Sequence, residues 1–251
     1  MSEMKRTINI ALLALVFVFA TSHAQKRKII VNEGLLENST ELKVKSKHHK
    51  KSMEFRCADY EIVDSEIKYG KIEEVHLPGT KEQSRHDEFW FLMKNGIKQT
   101  IKVKSIYDRK SRFEDKSDFL DLITGEDDTY ELTNFESFHT ATFTINLDTL
   151  NRWILNDKHL HNTDAKECNV TLTNGTRAIE VVDAKPLKGG TYYWTSPSTG
   201  FEFIENGQSI AAYQSQGGAA IGMGSKRQLI WIRNNLDDDT KLLLIAVMAA
   251  L

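Results

Sequence analysis

The chain has 251 residues, of which 40% are hydrophobic, 27% are charged and only three are proline. This composition excludes a disordered protein, and the length allows one sizeable domain or two small ones. The formal net charge of −2 excludes a protein that binds nucleic acid through its overall charge, so we expect no nucleic-acid partner.

The N-terminus has the pattern of a secretory signal peptide. A basic pair, Lys5-Arg6, precedes an apolar stretch, Ile8–Ala20, which is followed by small residues at Ser22 and Ala24. These are the charged region, the hydrophobic region and the cleavage site of such a peptide. The sequence therefore predicts that residues 1–24 are removed after Ala24 and that the protein is secreted or periplasmic. An uncleaved membrane anchor is the alternative.

The mature chain begins with a basic N-terminal arm, residues 25–52. Between Lys26 and Lys51, eight Lys and Arg residues stand against three Glu residues. This charge favours an anionic partner, such as a lipid head group or a polyanion; the alternative is a solvated arm without a partner. The candidate anion-binding residues are Lys43, Lys45, Lys47, Lys50 and Lys51. We expect a single folded domain over residues 53–251.

From Met53 onward the pattern is that of β-strands joined by tight turns. Apolar and polar residues alternate in several segments, as in strands with one buried face. Three Asn-Gly pairs lie between such segments, at residues 95–96, 174–175 and 206–207. Asn-Gly tolerates the positive φ angles that a hairpin turn requires at both of its central positions. The sequence therefore predicts an antiparallel meander of hairpins.

Two segments depart from the strand pattern. Tyr107–Thr129 is polar and rich in charge, and we expect a long excursion with a short helix in it. Thr149–Asn156 follows Asp148, a residue type that caps helices. We predict a helix there, with Leu150, Trp153 and Ile154 facing inward.

The last residues of the chain, Leu242–Leu251, are apolar without interruption and follow three aspartates, Asp237–Asp239. A helix that is apolar all round must be buried on every side, and aspartates cap and stabilise a helix N-terminus. Such a helix would reach about 15 Å, half of a ~30 Å hydrocarbon core, so it is a poor membrane span. We predict a mainly β protein, an antiparallel β-barrel of hairpins that encloses a hydrophobic C-terminal α-helix.

The last fifty residues also resemble a known family. A hairpin (FEFIENGQSIAAY), a glycine-rich loop, a strand with tryptophan (RQLIWIR), an aspartate cluster (LDDDTK) and an apolar helix (LLLIAVMAAL) follow one another within Phe201–Leu251. This order resembles the end of the tubby C-terminal-like superfamily, which includes phospholipid scramblases and LURP-one-related proteins. The resemblance implies a closed antiparallel barrel around a final hydrophobic helix, and an association with membrane lipids. None of the family's binding residues can be placed on this chain.

Cysteine and histidine supply further candidate sites. Cys57 and Cys168 would form one disulfide in an oxidising compartment or remain two separate buried thiols. His159 and His161 would share one face of a strand and are candidate metal ligands, unless they lie in a polar loop. Arg85–Glu88 is a candidate for a general base oriented by a carboxylate, or a charged turn. No motif requires a cofactor, and none is expected.

These observations favour a secreted or periplasmic non-enzymatic protein that binds a lipid, a membrane surface or another component of the cell envelope. The alternative is a periplasmic or extracellular hydrolase whose catalytic carboxylates are not identified by their spacing. No Gly-x-Ser-x-Gly motif occurs, which disfavours a serine hydrolase of the α/β type.

Overall fold

The computed structural model describes residues 29–96, 99–115, 130–162, 166–184, 195–196, 199–216, 219–220 and 228–251. Two helices are found in these residues, α1 (Glu33–Leu36) and α2 (Asp238–Ala250). The strands are β1 (Ser39–His48), β2 (Met53–Cys57), β3 (Tyr60–Lys68), β4 (Glu73–Leu77), β5 (Thr80–Lys94), β6 (Thr100–Asp115), β7 (Tyr130–Ile145), β8 (Trp153–Asn162), β9 (Lys166–Thr173), β10 (Ala178–Asp183), β11 (Thr195–Ser196), β12 (Thr199–Glu205), β13 (Gln208–Gln216), β14 (Ala219–Ala220) and β15 (Leu229–Arg233). The predicted signal peptide lies outside the described residues.

Hydrogen bonding joins most of the described strands in the order β3-β2-β1-β15-β13-β12-β10-β9-β8-β7-β6-β5-β4. Because β3 also pairs with β5, the strand order returns on itself, which is the pairing of a closed antiparallel barrel. β4 pairs with β5 and stands outside this closed order. The predicted fold class, a mainly β antiparallel barrel with a hydrophobic C-terminal helix, is confirmed.

The chain divides into two units. The first unit comprises the described parts of Met1–Lys43, Asp183–Glu202 and Ser209–Arg233. In it, β1 and β13 pair with opposite edges of β15. Its core is a cluster of buried, mostly apolar side chains: Ile29, Val31, Leu35, Ala184, Ala212, Leu229 and Trp231.

The second unit comprises the described parts of Val44–Val182, Phe203–Gln208 and Asn234–Leu251. Its long strands β5 to β8 pair along their length, so the side chains of paired residues form rows across the sheet, and successive rows face opposite sides. One such row is apolar and buried: Phe91, Val103, Phe143 and Trp153. Burial of this face follows directly from the alternation in the sequence.

Helix α2 belongs to the second unit and is buried along most of its length. The Asp237 side chain caps it by accepting a 2.7 Å hydrogen bond from the backbone N–H of Thr240. Each residue of Leu242–Met248 is at most 1% exposed. Because a turn takes about 3.6 residues, this run presents every face of the helix, and every face is covered. In this unit the helix contacts β6 and β7. No helix in the described part of the chain has the length and apolar character needed to cross a membrane.

All three Asn-Gly pairs lie in hairpins. Asn206 and Gly207 have φ angles of +51° and +75° and directly connect β12 to β13, as a two-residue turn requires. The Asn174-Gly175 hairpin has a longer loop, in which the N–H of Asn174 donates to the carbonyl of Arg177. In the Asn95-Gly96 hairpin, Lys94 pairs with Thr100.

The basic segment is not an arm over its whole length. Ser39–His48 is strand β1, which pairs with β15 in the first unit and with β2 in the second. The domain boundary predicted at Met53 therefore falls inside the sheet. The alternation of Leu42 and Val44 with Lys43 and Lys45 is the signal for this strand, since both apolar side chains are partly covered and both lysines are exposed.

Two predictions between the hairpins were wrong. Tyr107–Thr129 does not begin as an excursion, because β6 continues to Asp115; residues 116–129 lie outside the described part. Thr149–Asn156 is not a helix, because β8 begins at Trp153. Asp148 does accept a hydrogen bond from the N–H of Leu150, but in a turn that leaves Leu150 93% exposed.

Candidate functional site

Four of the five predicted anion-binding lysines lie on one hairpin of the second unit. We call Val44–Cys57, which covers the end of β1, the turn and β2, the basic hairpin. It contains five Lys and Arg residues and a single acidic residue, Glu54. The lysines all have exposed side chains: Lys45, Lys47, Lys50 and Lys51. The positive charge is therefore concentrated where solvent or a partner reaches it.

The ion pairs of the basic hairpin involve its other polar residues. Arg56 donates to Glu61 over 2.8 Å, and the His49 ring lies 2.8 Å from Glu54. In the described part of the chain, none of the four lysines lies within ion-pair distance of a carboxylate. Lys45 and Lys47 line a shallow cleft of about 450 Å³ with Arg56. Glu54 and Glu61 also line this cleft, so three cationic side chains and two carboxylates meet there. The fifth predicted residue, Lys43, belongs to the first unit, where it is exposed and lies opposite Leu229.

A second polar cluster lies on the buried face of β5 and β6. Asp87 is 8% exposed and accepts hydrogen bonds from Arg85 Nε (2.8 Å), Arg109 Nη2 (2.9 Å) and the N–H of Gly70 (2.9 Å). A Cβ at Gly70 would lie 1.8 Å from the carbonyl oxygen of His86, so only glycine permits this approach. Burial raises the pKa of Asp87, but the hydrogen bonds from Arg85, Gly70 and Arg109 outweigh burial and hold the pKa below its ordinary value.

This cluster continues into a buried serine–histidine pair. Ser105 on β6 and His139 on β7 are 2% and 6% exposed, and Ser105 Oγ lies 2.6 Å from His139 Nε2. The register places Asp157 of β8 opposite His139. The Tyr107 ring packs edge-on against the imidazole, with centroids 5.7 Å apart. Sequence patterns did not reveal that Ser105, His139 and Asp157 are neighbours, because these residues come from three strands and are far apart in the chain.

The Arg85–Glu88 segment is not a turn, because it lies within β5. His86 faces outward, with Nδ1 2.6 Å from Asp108 and Nε2 3.2 Å from Glu88. The hydrogen bond to Asp108, then that to Glu88, raises the pKa of His86. Both ring nitrogens face acceptors, so the arrangement favours imidazolium and leaves no free nitrogen to act as a base.

The other predicted site residues are only partly described. His159 and His161 lie on strand β8, not in a loop, and His159 pairs in register with Cys168 of β9. Their side chains lie outside the described part, so the metal site stays a prediction. No group of three or more His, Cys, Asp or Glu among the described residues is arranged to hold a metal ion. Cys57 is a buried, free thiol, as each cysteine would be in the alternative with two separate thiols.

A third polar site, which the sequence analysis missed, adjoins the N-terminus of α2. A cleft of about 370 Å³ is lined by Trp153, Arg177, Asp237 and Asp239, among others. Most of its polar groups are already engaged: Asp237 caps the helix, and Asp239 accepts from Gln99 Nε2 over 2.7 Å. These bonds hold the loops to the helix and serve the fold.

Comparisons of the chain with protein-family models, with curated proteins and with solved structures give no match. What the protein does must therefore be inferred from its own residues. Of the clusters described, the basic hairpin is the one whose lysines are exposed and lie near no carboxylate of the described residues, whereas the polar groups around Asp87 and α2 bond to one another.

Proposed function

We propose that this protein is a non-enzymatic binding protein that associates with anionic lipid surfaces through the basic hairpin. The observation that carries the proposal is the set of four exposed lysines without an ion-pair partner among the described residues: Lys45, Lys47, Lys50 and Lys51. A positive patch that is not neutralised internally attracts anions from solution.

The expected strength follows from the number of charges. A lysine near an anionic membrane contributes about 1 kcal/mol, so four contribute about 4 kcal/mol before losses from imperfect geometry. The turn between β1 and β2 (His49–Ser52) carries no apolar side chain that would enter the hydrocarbon region. Binding is therefore peripheral and falls with ionic strength, since the Debye length shrinks from about 10 Å at 0.1 M to about 3 Å at 1 M salt.

The compartment and the family resemblance support the same proposal. A protein with a cleaved signal peptide meets the outer lipid surfaces of the cell envelope, where anionic head groups are available. The resemblance of Phe201–Leu251 to the tubby-like superfamily also suggests a lipid partner. Both remain part of the proposal.

The experiment is vesicle co-sedimentation of the mature protein with neutral phosphatidylcholine vesicles and with vesicles that also contain phosphatidylglycerol. The proposal predicts binding to the anionic vesicles alone, lost at about 1 M salt. A variant with glutamine at Lys45, Lys47, Lys50 and Lys51 should lose most of this binding. A control with glutamine at the exposed lysines Lys102, Lys104, Lys110 and Lys158 loses the same amount of positive charge, from β6 and β8, and should still bind the anionic vesicles.

Equal losses in the two variants would show that net charge matters and the basic hairpin does not. Binding to neutral vesicles, or to a soluble polyanion but not to lipid, would contradict the proposal.

A hydrolase is the second candidate, and one observation favours it. A serine within hydrogen-bond reach of a histidine, with a carboxylate beyond it, is the arrangement that activates a nucleophile, and Ser105, His139 and Asp157 follow this order across the sheet. The burial of Ser105 and His139 suits a structural pair better, so we prefer the binding function. Labelling of Ser105 by a fluorophosphonate probe, absent in Ser105→Ala, would reverse that preference.

A further inference from the structure

One edge of strand β4 is unpaired in the part of the chain that the structure describes. The strand pairs with β5 from Glu73↔Ser84 to Leu77↔Thr80, and no other strand in the described part of the chain pairs with it. All five of its residues are exposed. An edge strand of this kind presents backbone N–H and C=O groups that another strand can bind.

The β4 edge also exposes apolar surface. Val75 and Leu77 are each 53% exposed, and Ile72, just before the strand, is 56% exposed. Edge strands are commonly protected by a lysine, a proline or a bulge within the strand, and the strand itself has none of these. The charged residues it does have, Glu73 and Glu74, restrict which strand can pair with it.

A second copy of the same strand fits this edge in one register. In an antiparallel pair, the side chains of directly opposed residues lie on the same face of the sheet. When a two-fold axis relates two identical strands, the axis must therefore pass through a residue and not between two residues. An axis at Glu74 opposes Glu74 to itself, and an axis at His76 opposes Glu73 and Glu74 to Gly79 and Pro78, beyond the strand, so that only three residues of β4 pair with one another. An axis at Val75 opposes Glu74 of each copy to His76 of the other, and Glu73 to Leu77.

We propose that two copies of this chain associate through β4, antiparallel, with Val75 on the two-fold axis. Glu74, which lies 3.3 Å from Lys81 of its own chain, then opposes His76 of the other copy. No two carboxylates are opposed, and the two Val75 side chains contact each other on one face. A contact of five residues per strand is smaller than the ~800 Å² per partner of stable interfaces, so the dimer is in reversible equilibrium with the monomer.

Disulfide trapping tests the register. Opposed residues have Cβ atoms about 4.5–5.5 Å apart, close to disulfide geometry, so Val75→Cys should form a covalent dimer when oxidised with copper phenanthroline. In the matched control, Leu77→Cys, the two new thiols lie four residues apart along the strand, about 13 Å, and should not link. Both variants keep Cys57 and Cys168, and the wild-type chain gives the background. Equal trapping of the two variants, or none with Val75→Cys, would overturn the proposal.

Charge exchange tests the pairing without a cross-link. His76→Glu opposes two pairs of glutamates and should weaken dimerisation about 2- to 30-fold in sedimentation equilibrium. Adding Glu74→Lys to it places opposite charges in both pairs and should recover dimerisation. The new carboxylate at position 76 also lies opposite Lys81, so the monomer keeps a cross-strand ion pair. A wild-type chain that is monomeric up to millimolar concentration, or a double variant no better than His76→Glu, refutes the dimer.

Discussion

Arg177 and Glu205 are joined by two parallel hydrogen bonds, 2.9 Å from Nε to Oε1 and 3.1 Å from Nη2 to Oε2. The same guanidinium lies over the Trp153 ring at 5.4 Å, and its Nη1 is 3.4 Å from Thr240 Oγ1 in the first turn of α2. One side chain therefore connects the β9–β10 turn, the end of β12, the start of β8 and the helix. Bidentate geometry makes this pair stronger than an ordinary surface ion pair.

Replacing Arg177 by alanine should lower the free energy of unfolding by about 1–3 kcal/mol, since it removes the paired hydrogen bonds and leaves Glu205, whose side chain is 13% exposed, without its partner. Urea denaturation monitored by tryptophan fluorescence measures the change. Arg112→Ala is the matched control, because Arg112 is half-exposed and its ion pairs are 3.8–4.0 Å long. It should change stability by less than about 0.5 kcal/mol. Similar losses in the two variants would contradict a special role for the Arg177–Glu205 pair.

Asp87 should make stability depend on pH. The pKa of Asp87 in the folded protein lies below its ordinary value. The stability that the ionised side chain contributes is therefore complete above the unfolded pKa of about 3.9 and is lost as pH falls through the folded pKa. Asp87→Asn should be less stable than wild type by about 2 kcal/mol at pH 7, and the difference should shrink below about pH 4. Urea titrations from pH 7 to pH 2 measure both effects. Asp64→Asn, at an exposed position, is the control; a difference at Asp87 that does not change with pH would disprove the mechanism.

Cys57 should be inert while the protein is folded. Burial raises the pKa of its thiol to about 12, so its thiolate fraction is about 1,000-fold or more below that of an exposed cysteine with a pKa near 8.5. Iodoacetamide should leave Cys57 unmodified in the native protein and alkylate it in urea without reductant, as peptide mass spectrometry would show. Protection that persists in urea and disappears only with a reductant would instead establish a disulfide.

The sequence predicted features whose signals are local. An uninterrupted apolar run after an aspartate cap specifies a buried helix by its composition alone, and α2 matches it. Asn206-Gly207 supplies both positive φ angles within two residues. Neither inference needed a partner from elsewhere in the chain.

Features that depend on strand register could not be predicted in this way. A two-residue turn at Asn95-Gly96 would oppose Lys94 to Ile97, and so Asp87 to Lys104. The observed loop opposes Lys94 to Thr100 and Asp87 to Tyr107. The shift of three residues is odd, so it reverses which side chains of β6 face inward. It brings Arg109 to Asp87 and leaves Lys104 outside, which no local pattern specifies.

The segment that follows Asp148 shows a second limit. Leu150, Trp153 and Ile154 have helical spacing, yet Trp153 and Leu155 have strand spacing and are the residues that are buried. Pairing with β7 along Trp153–Asn162 decides between the two, and this partner is not visible in the segment itself.

The largest loss of stability is predicted for a charge placed in the buried helix α2. Val247→Asp places a carboxylate in a helix whose neighbouring residues are at most 1% exposed, and a buried charge without a partner costs several kcal/mol, comparable to the whole stability of a domain. We expect the variant to be unfolded or insoluble, with loss of the cooperative transition in urea. Val247→Ala keeps the site apolar and should fold with reduced stability, by about 1–3 kcal/mol.

Leu150→Asp is the matched control, because Leu150 is equally apolar but 93% exposed. It should unfold at the wild-type urea concentration, since an exposed side chain contributes little when its polarity changes. If Val247→Asp also folds like the wild type, the helix must leave its buried position at little cost. The barrel would then be stable without α2, and the C-terminal apolar run would have to serve another purpose than filling the core.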